Sequence, residues 1–118
     1  MADPDTDADR LLTIDQASEA GRYVLRVEGE VDLATAGQLE AALGEAGRAT
    51  GDVLVDLTAT TFMDSTGLKC LVVGQRDLAE ADRELVVVVP PGPVARLVDV
   101  SGIAATIRVV SDRSELGD

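Results

Sequence analysis

An α/β fold with a mostly parallel, mixed β-sheet is predicted by three observations. Segments with strand and helix periodicity alternate along the 118 residues, a pattern that needs crossover connections and therefore parallel strands. The run "ELVVVV" at 84–89 is apolar and β-branched without alternation, the mark of a strand covered on both faces. "YVLRVEGEV" places Tyr23, Leu25, Val27 and Val31 on one face at period two, as in a half-buried strand. The length suits one domain with a core large enough to need no staples.

The elements follow in order. Residues 1–10, "MADPDTDADR", read as a disordered acidic tail, and the folded domain as 11–118. The alternating acids of the tail resemble a calcium loop, but Ala8 stands where the sharp turn needs glycine and Ile14 where a bidentate glutamate is needed. "LLTID" is a first strand, and "SEAGR" turns it into the second, "YVLRVEGEV". The first strand is the antiparallel member. Asp32 then serves as N-cap for a helix with Ala36, Leu39, Leu43 and Ala46 on its apolar face, ended by Gly47 and "TGD". "VLVDL" at 53–57 is a short strand, and a second helix runs from about Ser65 to Ala81. After the buried strand, "PPGP" breaks the chain. "VARLVDVS" forms a third helix with Val94, Leu97, Val98 and Ser101 on one face and Gly102 as its stop. "TIRVV" alternates like an edge strand, and "SDRSELGD" leaves room for little more than one helical turn. The predicted order is β-β-α-β-α-β-α-β, with a short or absent last helix.

Composition narrows the function. The net charge is −12, from 22 acids and 10 bases. This argues against nucleic acid and anionic membrane as partners, since both select basic surfaces. It leaves room for a basic protein. No apolar run approaches a membrane span, the N-terminus lacks an apolar signal region, and the single Cys70 excludes an internal disulfide. These features predict a cytoplasmic protein. Histidine is absent, which removes the commonest general base and metal ligand.

The stretch "FMDSTGLKC" at 62–70 is where chemistry is most concentrated. It sets Asp64 beside two hydroxyls, Ser65 and Thr66, at the start of a buried helix. A serine nucleophile lacks a base here. M-D-S-T-G lacks the first glycine of the nucleophile elbow. No phosphate-binding loop is present, because Lys69 comes too early and without the glycines. Neither an enzyme nor a bound cofactor is expected. Two readings remain. Asp64 and Ser65 can be an ordinary cap, with Gly67 permitting close packing. Alternatively, Ser65 can accept a phosphate, because a helix N-terminus tolerates negative charge while the surface around it changes by roughly −1.5 to −2 charges. Along the helix, the spacing predicts a core face of Leu68, Leu71, Val72, Leu78 and Ala79, and an outer face of Lys69, Val73, Arg76 and Glu80. Val73 with Ser65 and Lys69 then suggests the middle of a docking patch. Cys70 reads as a packed residue at the border.

"FMDSTGL" resembles the signature of STAS-domain anti-sigma factor antagonists. "GEVDLATA" is similar to that family's strand-to-helix segment and "VARLVDVSGI" to its third helix, so the resemblance covers most of the chain. It implies a single STAS domain that regulates by binding. It further implies phosphorylation of Ser65 by an anti-sigma factor that is itself a serine kinase. The unphosphorylated form then binds that kinase and frees a sigma factor, and a PP2C-type phosphatase resets the switch. By the same resemblance Asp64 shapes the phosphorylation loop, Thr66 is a contact and not the acceptor, and Asp32 caps the first helix near the loop. Gly67, Lys69, Val73 and Arg76 complete the expected loop and partner surface. Three departures stand out: Lys69 replaces a frequent glycine, Ala81-Asp82-Arg83 replaces a glycine-rich turn, and the C-terminus is short. The alternative is a constitutive interaction or scaffold domain in which Ser65 is a cap alone.

Overall fold

In a computed structural model, residues 12–116 are described. The elements are β1 (Leu12–Glu19), β2 (Arg22–Val31), α1 (Ala36–Arg48), β3 (Asp52–Asp56), β4 (Thr60–Met63), α2 (Ser65–Ala79), β5 (Leu85–Val88), α3 (Pro93–Ser101) and β6 (Arg108–Val110). Short 3-10 turns cover Ile103–Ala105 and Arg113–Leu116, the latter where little more than one turn is expected. The acidic tail expected at 1–10 lies outside the described residues.

β1 and β2 form an antiparallel hairpin. Its two-residue turn, Ala20-Gly21, has positive φ at both positions, which matches the twist of the flanking strands. β1 therefore runs further than "LLTID", to Glu19. All other pairings are parallel, and the sheet order is β1-β2-β3-β5-β6, with β4 also paired to β2. β3 pairs with the first half of β2, and β4 with the second half. The two short strands thus form one interrupted line beside β2.

Sequence periodicity does not reveal β4. Only its end residues Thr60 and Met63 are buried, while Thr61 and Phe62 are exposed, so it lacks the period-two pattern. A register shift between Gly29 and Glu30 accompanies it. Thr60 anchors it by donating from its hydroxyl to the Val27 carbonyl at 2.8 Å.

Helices α1, α2 and α3 pack on the sheet face that carries Leu25, Val27, Val53, Val55, Leu85 and Val87. The opposite face holds a smaller cluster of Val24, Leu54, Val86, Val88 and Val110, with Leu116 beside it. β5 is buried along its whole length, as its unbroken apolar run requires. α1 passes through Gly47 and ends at Arg48, so Gly47 is not its stop. The chain reverses instead at Gly51, whose φ is +84° and whose absent Cβ leaves room for the Gly21 carbonyl. Arg83 closes this end. Its guanidinium donates to the carbonyls of Gly47 and Ala46, both at 2.9 Å, and of Gly51 at 2.6 Å. These carbonyls lie at the C-terminus of α1 and just beyond it, where few acceptors have helical partners, although Ala46 also accepts from the Ala49 N–H at 3.1 Å. Just before Arg83, Asp82 takes a φ of 59°, a conformation Asp tolerates better than most residues. Gly102 ends α3 in the left-handed conformation, as expected. Among the described residues no helix is long and apolar enough to cross a membrane.

Candidate functional site

The carboxyl ends of β2 and β4 lie side by side, with Val31 paired to Met63. The next residue in each strand is an aspartate, and the Asp64 N–H donates to the Val31 carbonyl at 3.1 Å. Asp32 and Asp64 are therefore neighbours at the edge where parallel α/β sheets present their functional loops. Each opens a turn into a helix, and the two turns differ.

After Asp32 the chain makes a closed turn before α1. Asp32 Oδ1 accepts from the N–H groups of Ala34 (3.0 Å) and Thr35 (3.1 Å), and its carbonyl accepts from Ala36 at 2.8 Å. The fully buried Thr35 hydroxyl accepts from the Asp32 N–H at 3.0 Å and donates to the Glu30 carbonyl at 2.7 Å. The expectation that Asp32 is the immediate N-cap of α1 is thus corrected. The regular helix starts at Ala36, its N-cap position is Thr35, and Asp32 caps the turn that leads in. The reason is local: Thr35 binds backward to β2, which holds the first turn away from regular helix geometry.

After Asp64 there is no such spacer. Asp64 is the N-cap of α2, and its Oδ1 accepts from the Thr66 N–H at 2.9 Å and from the Thr66 hydroxyl. The Thr66 hydroxyl and the backbone N–H groups of Thr66 and Gly67 favour the carboxylate form, and they hold the Asp64 pKa below its usual value. Ser65 is the first residue of α2 and is exposed. Its hydroxyl has no hydrogen-bond partner among the described residues. Of the two adjacent hydroxyls, Thr66 is tied to Asp64, and Ser65 points outward.

Gly67 makes this close docking possible. A Cβ there would lie 2.7 Å from Met63 Cγ and 2.8 Å from Val31 Cγ1. The helix N-terminus can therefore press against the ends of β2 and β4 only if position 67 is glycine.

Gly67 also corrects the helix faces. The buried residues of α2 are Gly67, Leu68, Leu71 and Leu78, while Val72 is 43% exposed and Ala79 is exposed. Reading only apolar side chains rotates the face toward Leu68 and wrongly buries Val72 and Ala79, because glycine gives no hydrophobic signal. The exposed stripe that runs down from Ser65 is Lys69, Val72 and Arg76, at helical spacing. Val73 is instead half-buried on the side facing α1. The structure gathers Asp32, Asp64, Ser65, Thr66 and Lys69 at one end of the molecule, with Gly67 beneath. Arg76 is about 16 Å further down the helix axis, from the rise of 1.5 Å per residue. It lies 3.6 Å from its neighbour Asp77.

Two apolar residues at this end escape the sequence reading. Leu33, in the turn after Asp32, is 82% exposed, and Phe62, at the end of β4, is 47% exposed. The available signal was the position of Leu33 inside "VDLATA", between a strand end and a helix start, where no core face is formed. Leu33 and Thr66 also form the mouth of a groove of about 690 Å³ between α1 and α2. Cys70 lines that groove, its thiol 3.7 Å from the Ala36 carbonyl. Burial and the nearby Glu40 carboxylate push its pKa up. It is a packed thiol and not an activated thiolate. Among the described residues no group of three or more His, Cys, Asp or Glu side chains is placed to hold a metal ion.

The arrangement provides an outward hydroxyl, acidic neighbours and apolar contact area. It suits binding and modification. The family model described as "Mlab, STAS domain" matches residues 14–111. The anti-sigma-F factor antagonist RsfB of Mycobacterium tuberculosis (strain CDC 1551 / Oshkosh) is 34% identical over 113 residues, 94% of this chain and 87% of that protein. The anti-sigma-B factor antagonist of Staphylococcus aureus (strain NCTC 8325 / PS 47) is 30% identical over 99 residues, 83% of this chain and 92% of that protein. The crystal structure of an anti-sigma factor antagonist from Mycobacterium paratuberculosis superposes with a TM-score of 0.82 at 26% identity, covering 98% of this chain and 94% of that one. The outward serine on its capped helix therefore sits in a member of the STAS domain family, and this chain belongs among that family's anti-sigma factor antagonists.

Proposed function

We propose that this protein is a phosphorylation-switched antagonist of an anti-sigma factor. In the unphosphorylated state it binds an anti-sigma factor serine kinase and so releases a sigma factor. Phosphorylation of Ser65 ends the binding, and a PP2C-type phosphatase restores it. The chain acts in the cytoplasm and has no catalysis of its own. ATP and magnesium belong to the kinase.

The observation that carries this reading is the unequal state of the two hydroxyls. Ser65 is exposed and without a described partner, whereas Thr66 is held by Asp64. A kinase can therefore reach Ser65 without breaking the cap. The resulting phosphate sits at a helix N-terminus, where the helix dipole favours negative charge, so the fold survives. The surface does not stay the same. A dianion beside Asp32 and Asp64, on a chain of net charge −12, excludes a partner that packs over Ser65. Moving that partner from about 99:1 bound to 1:99 needs about 5.5 kcal/mol.

The test uses the purified anti-sigma factor kinase with ATP and magnesium. Phosphate is expected at Ser65 alone by mass spectrometry. Ser65→Ala should bind without being modified, and Ser65→Glu should keep the fold and lose the partner. Normal labelling of Ser65→Ala, or tight binding by folded Ser65→Glu, defeats the switch. Equal binding of wild type, Ser65→Ala and Ser65→Glu is the signature of a constitutive interaction domain.

A further inference from the structure

Helix α1 carries three glycines, Gly37, Gly44 and Gly47, within its 13 residues. Glycine inside a helix is less favourable than alanine, because it loses more backbone freedom on folding. Nothing in the chain demands them, because a Cβ at any of the three meets no atom within 4 Å. All three line the groove of about 690 Å³ between α1 and α2. This trench is continuous with the Ser65 end through Thr66 and Leu33. An acid stands on each wall, Glu40 on α1 and Asp77 on α2. Of the bases that line it, Lys69 is exposed, and Arg83 is committed to the carbonyls at the end of α1.

We infer that this groove seats an α-helix of the anti-sigma factor, one with small apolar residues on its buried face and lysine or arginine along its flanks. The inference rests on the function proposed above and adds a second contact region to it. Three features choose a helix of this kind. The α1 wall is bare backbone at Gly37, Gly44 and Gly47, beside the apolar side chains of Leu43, Cys70, Val73 and Leu78, which lets another helix approach closely and bury apolar area. α1 is about 20 Å long, the length of a helix of about three to four turns. Glu40, exposed on the α1 wall of a chain of net charge −12, complements a basic flank, whereas Asp77 on the facing wall already meets Arg76 at 3.6 Å. Leu33, 82% exposed at the mouth, supplies an apolar anchor where the groove meets the Ser65 surface.

The test compares affinity and stability in the same variants, using the purified anti-sigma factor that binds the wild-type chain. Gly44→Ala is expected to raise the thermal midpoint by a few degrees, since alanine is the better helix former and its Cβ is unobstructed. It should nevertheless weaken binding about tenfold. Gly44→Leu should fill the trench and weaken it further. Glu40→Lys should also weaken binding about tenfold and flatten its salt dependence. Glu45→Lys, the same charge change on α1 outside the groove, should alter affinity less than about threefold. Wild-type affinity in folded Gly44→Leu and Glu40→Lys overturns the proposal. Loss of self-association in Gly44→Leu with unchanged anti-sigma factor binding also overturns it and assigns the groove to a second copy of this chain. If the wild-type chain binds no anti-sigma factor, the functional reading fails first, and this inference falls with it.

Discussion

The turn from β2 into α1 and the turn from β4 into α2 lie next to each other and begin with the same residue type. Both start with an aspartate at a strand end, and both bring a threonine against it. In the first, Thr35 is buried and its hydroxyl is shared between Glu30 and Asp32. In the second, Thr66 binds Asp64, and an extra hydroxyl, Ser65, is inserted between them and left outside. In the first turn the threonine hydroxyl and the aspartate Oδ1 both hold the chain. The other reproduces the cap and has a reactive group to spare. The two turns thus share an aspartate and a bound threonine and differ in one hydroxyl that the second leaves outside its cap.

The comparison is tested hardest at Gly67, which has no counterpart in the first turn. Gly67→Ala should destabilise the protein by about 1–3 kcal/mol, because the new Cβ overlaps Met63 and Val31 in a packed region. Chemical denaturation would show it. A cost below about 0.5 kcal/mol would mean that the α2 N-terminus can move off the strand ends, and that its position is not fixed by close packing.

Thr35→Ala comes next, at about 2 kcal/mol. Removing the hydroxyl of the fully buried Thr35 leaves the Glu30 carbonyl and the Asp32 N–H without the partner they share. Thr66→Ala should cost less, since Thr66 is half-buried and Asp64 still accepts from the Thr66 N–H. Equal losses measured for the two threonines would remove the distinction between a closed turn and an open one.

Much of this was legible in the sequence, but unevenly. β2 and the three helices announce themselves because apolar side chains repeat with the period of the element that buries them, and β5 because its apolar run is unbroken. β4 does not, because it is held by pairing to the end of β2 and by the Thr60 hydroxyl, with its two middle residues exposed. The site was legible at Asp64, Ser65 and Thr66, where residue type and order suffice to suggest a capped helix start. The exposed valine was misplaced by one residue, as Val73 instead of Val72, because the centre of the buried face is a glycine. The groove was not legible. Its walls are defined by what α1 lacks, and a periodicity of side chains does not register missing ones.

Asp32→Ala should cost about 1 kcal/mol, the usual size of a lost cap. The carboxylate accepts from the Ala34 and Thr35 N–H groups, and water can reach the exposed Ala34 group in its place. If Asp32 has only this role, the rate of Ser65 phosphorylation should fall no further than the lost stability explains. A larger drop in rate, measured on protein that is still folded, would draw the first turn into the switch and blur the division between the two.

The smallest expected effect on stability belongs to the residue with the largest expected effect on binding. Ser65→Ala should change the unfolding free energy by less than about 0.5 kcal/mol, as at other surface sites without partners. The argument is geometric. Asp64, not Ser65, supplies the cap, and its bonds to Thr66 stay intact in the variant. Alanine at the first helical position adds no clash and is a good helix former. Unfolding curves of Ser65→Ala and wild type should therefore overlay, while the variant stays unphosphorylated in the presence of the anti-sigma factor kinase. A loss of 1 kcal/mol or more would place the Ser65 hydroxyl inside the cap. Ser65 would then be a structural group like Thr35, and the contrast between the two turns would be gone.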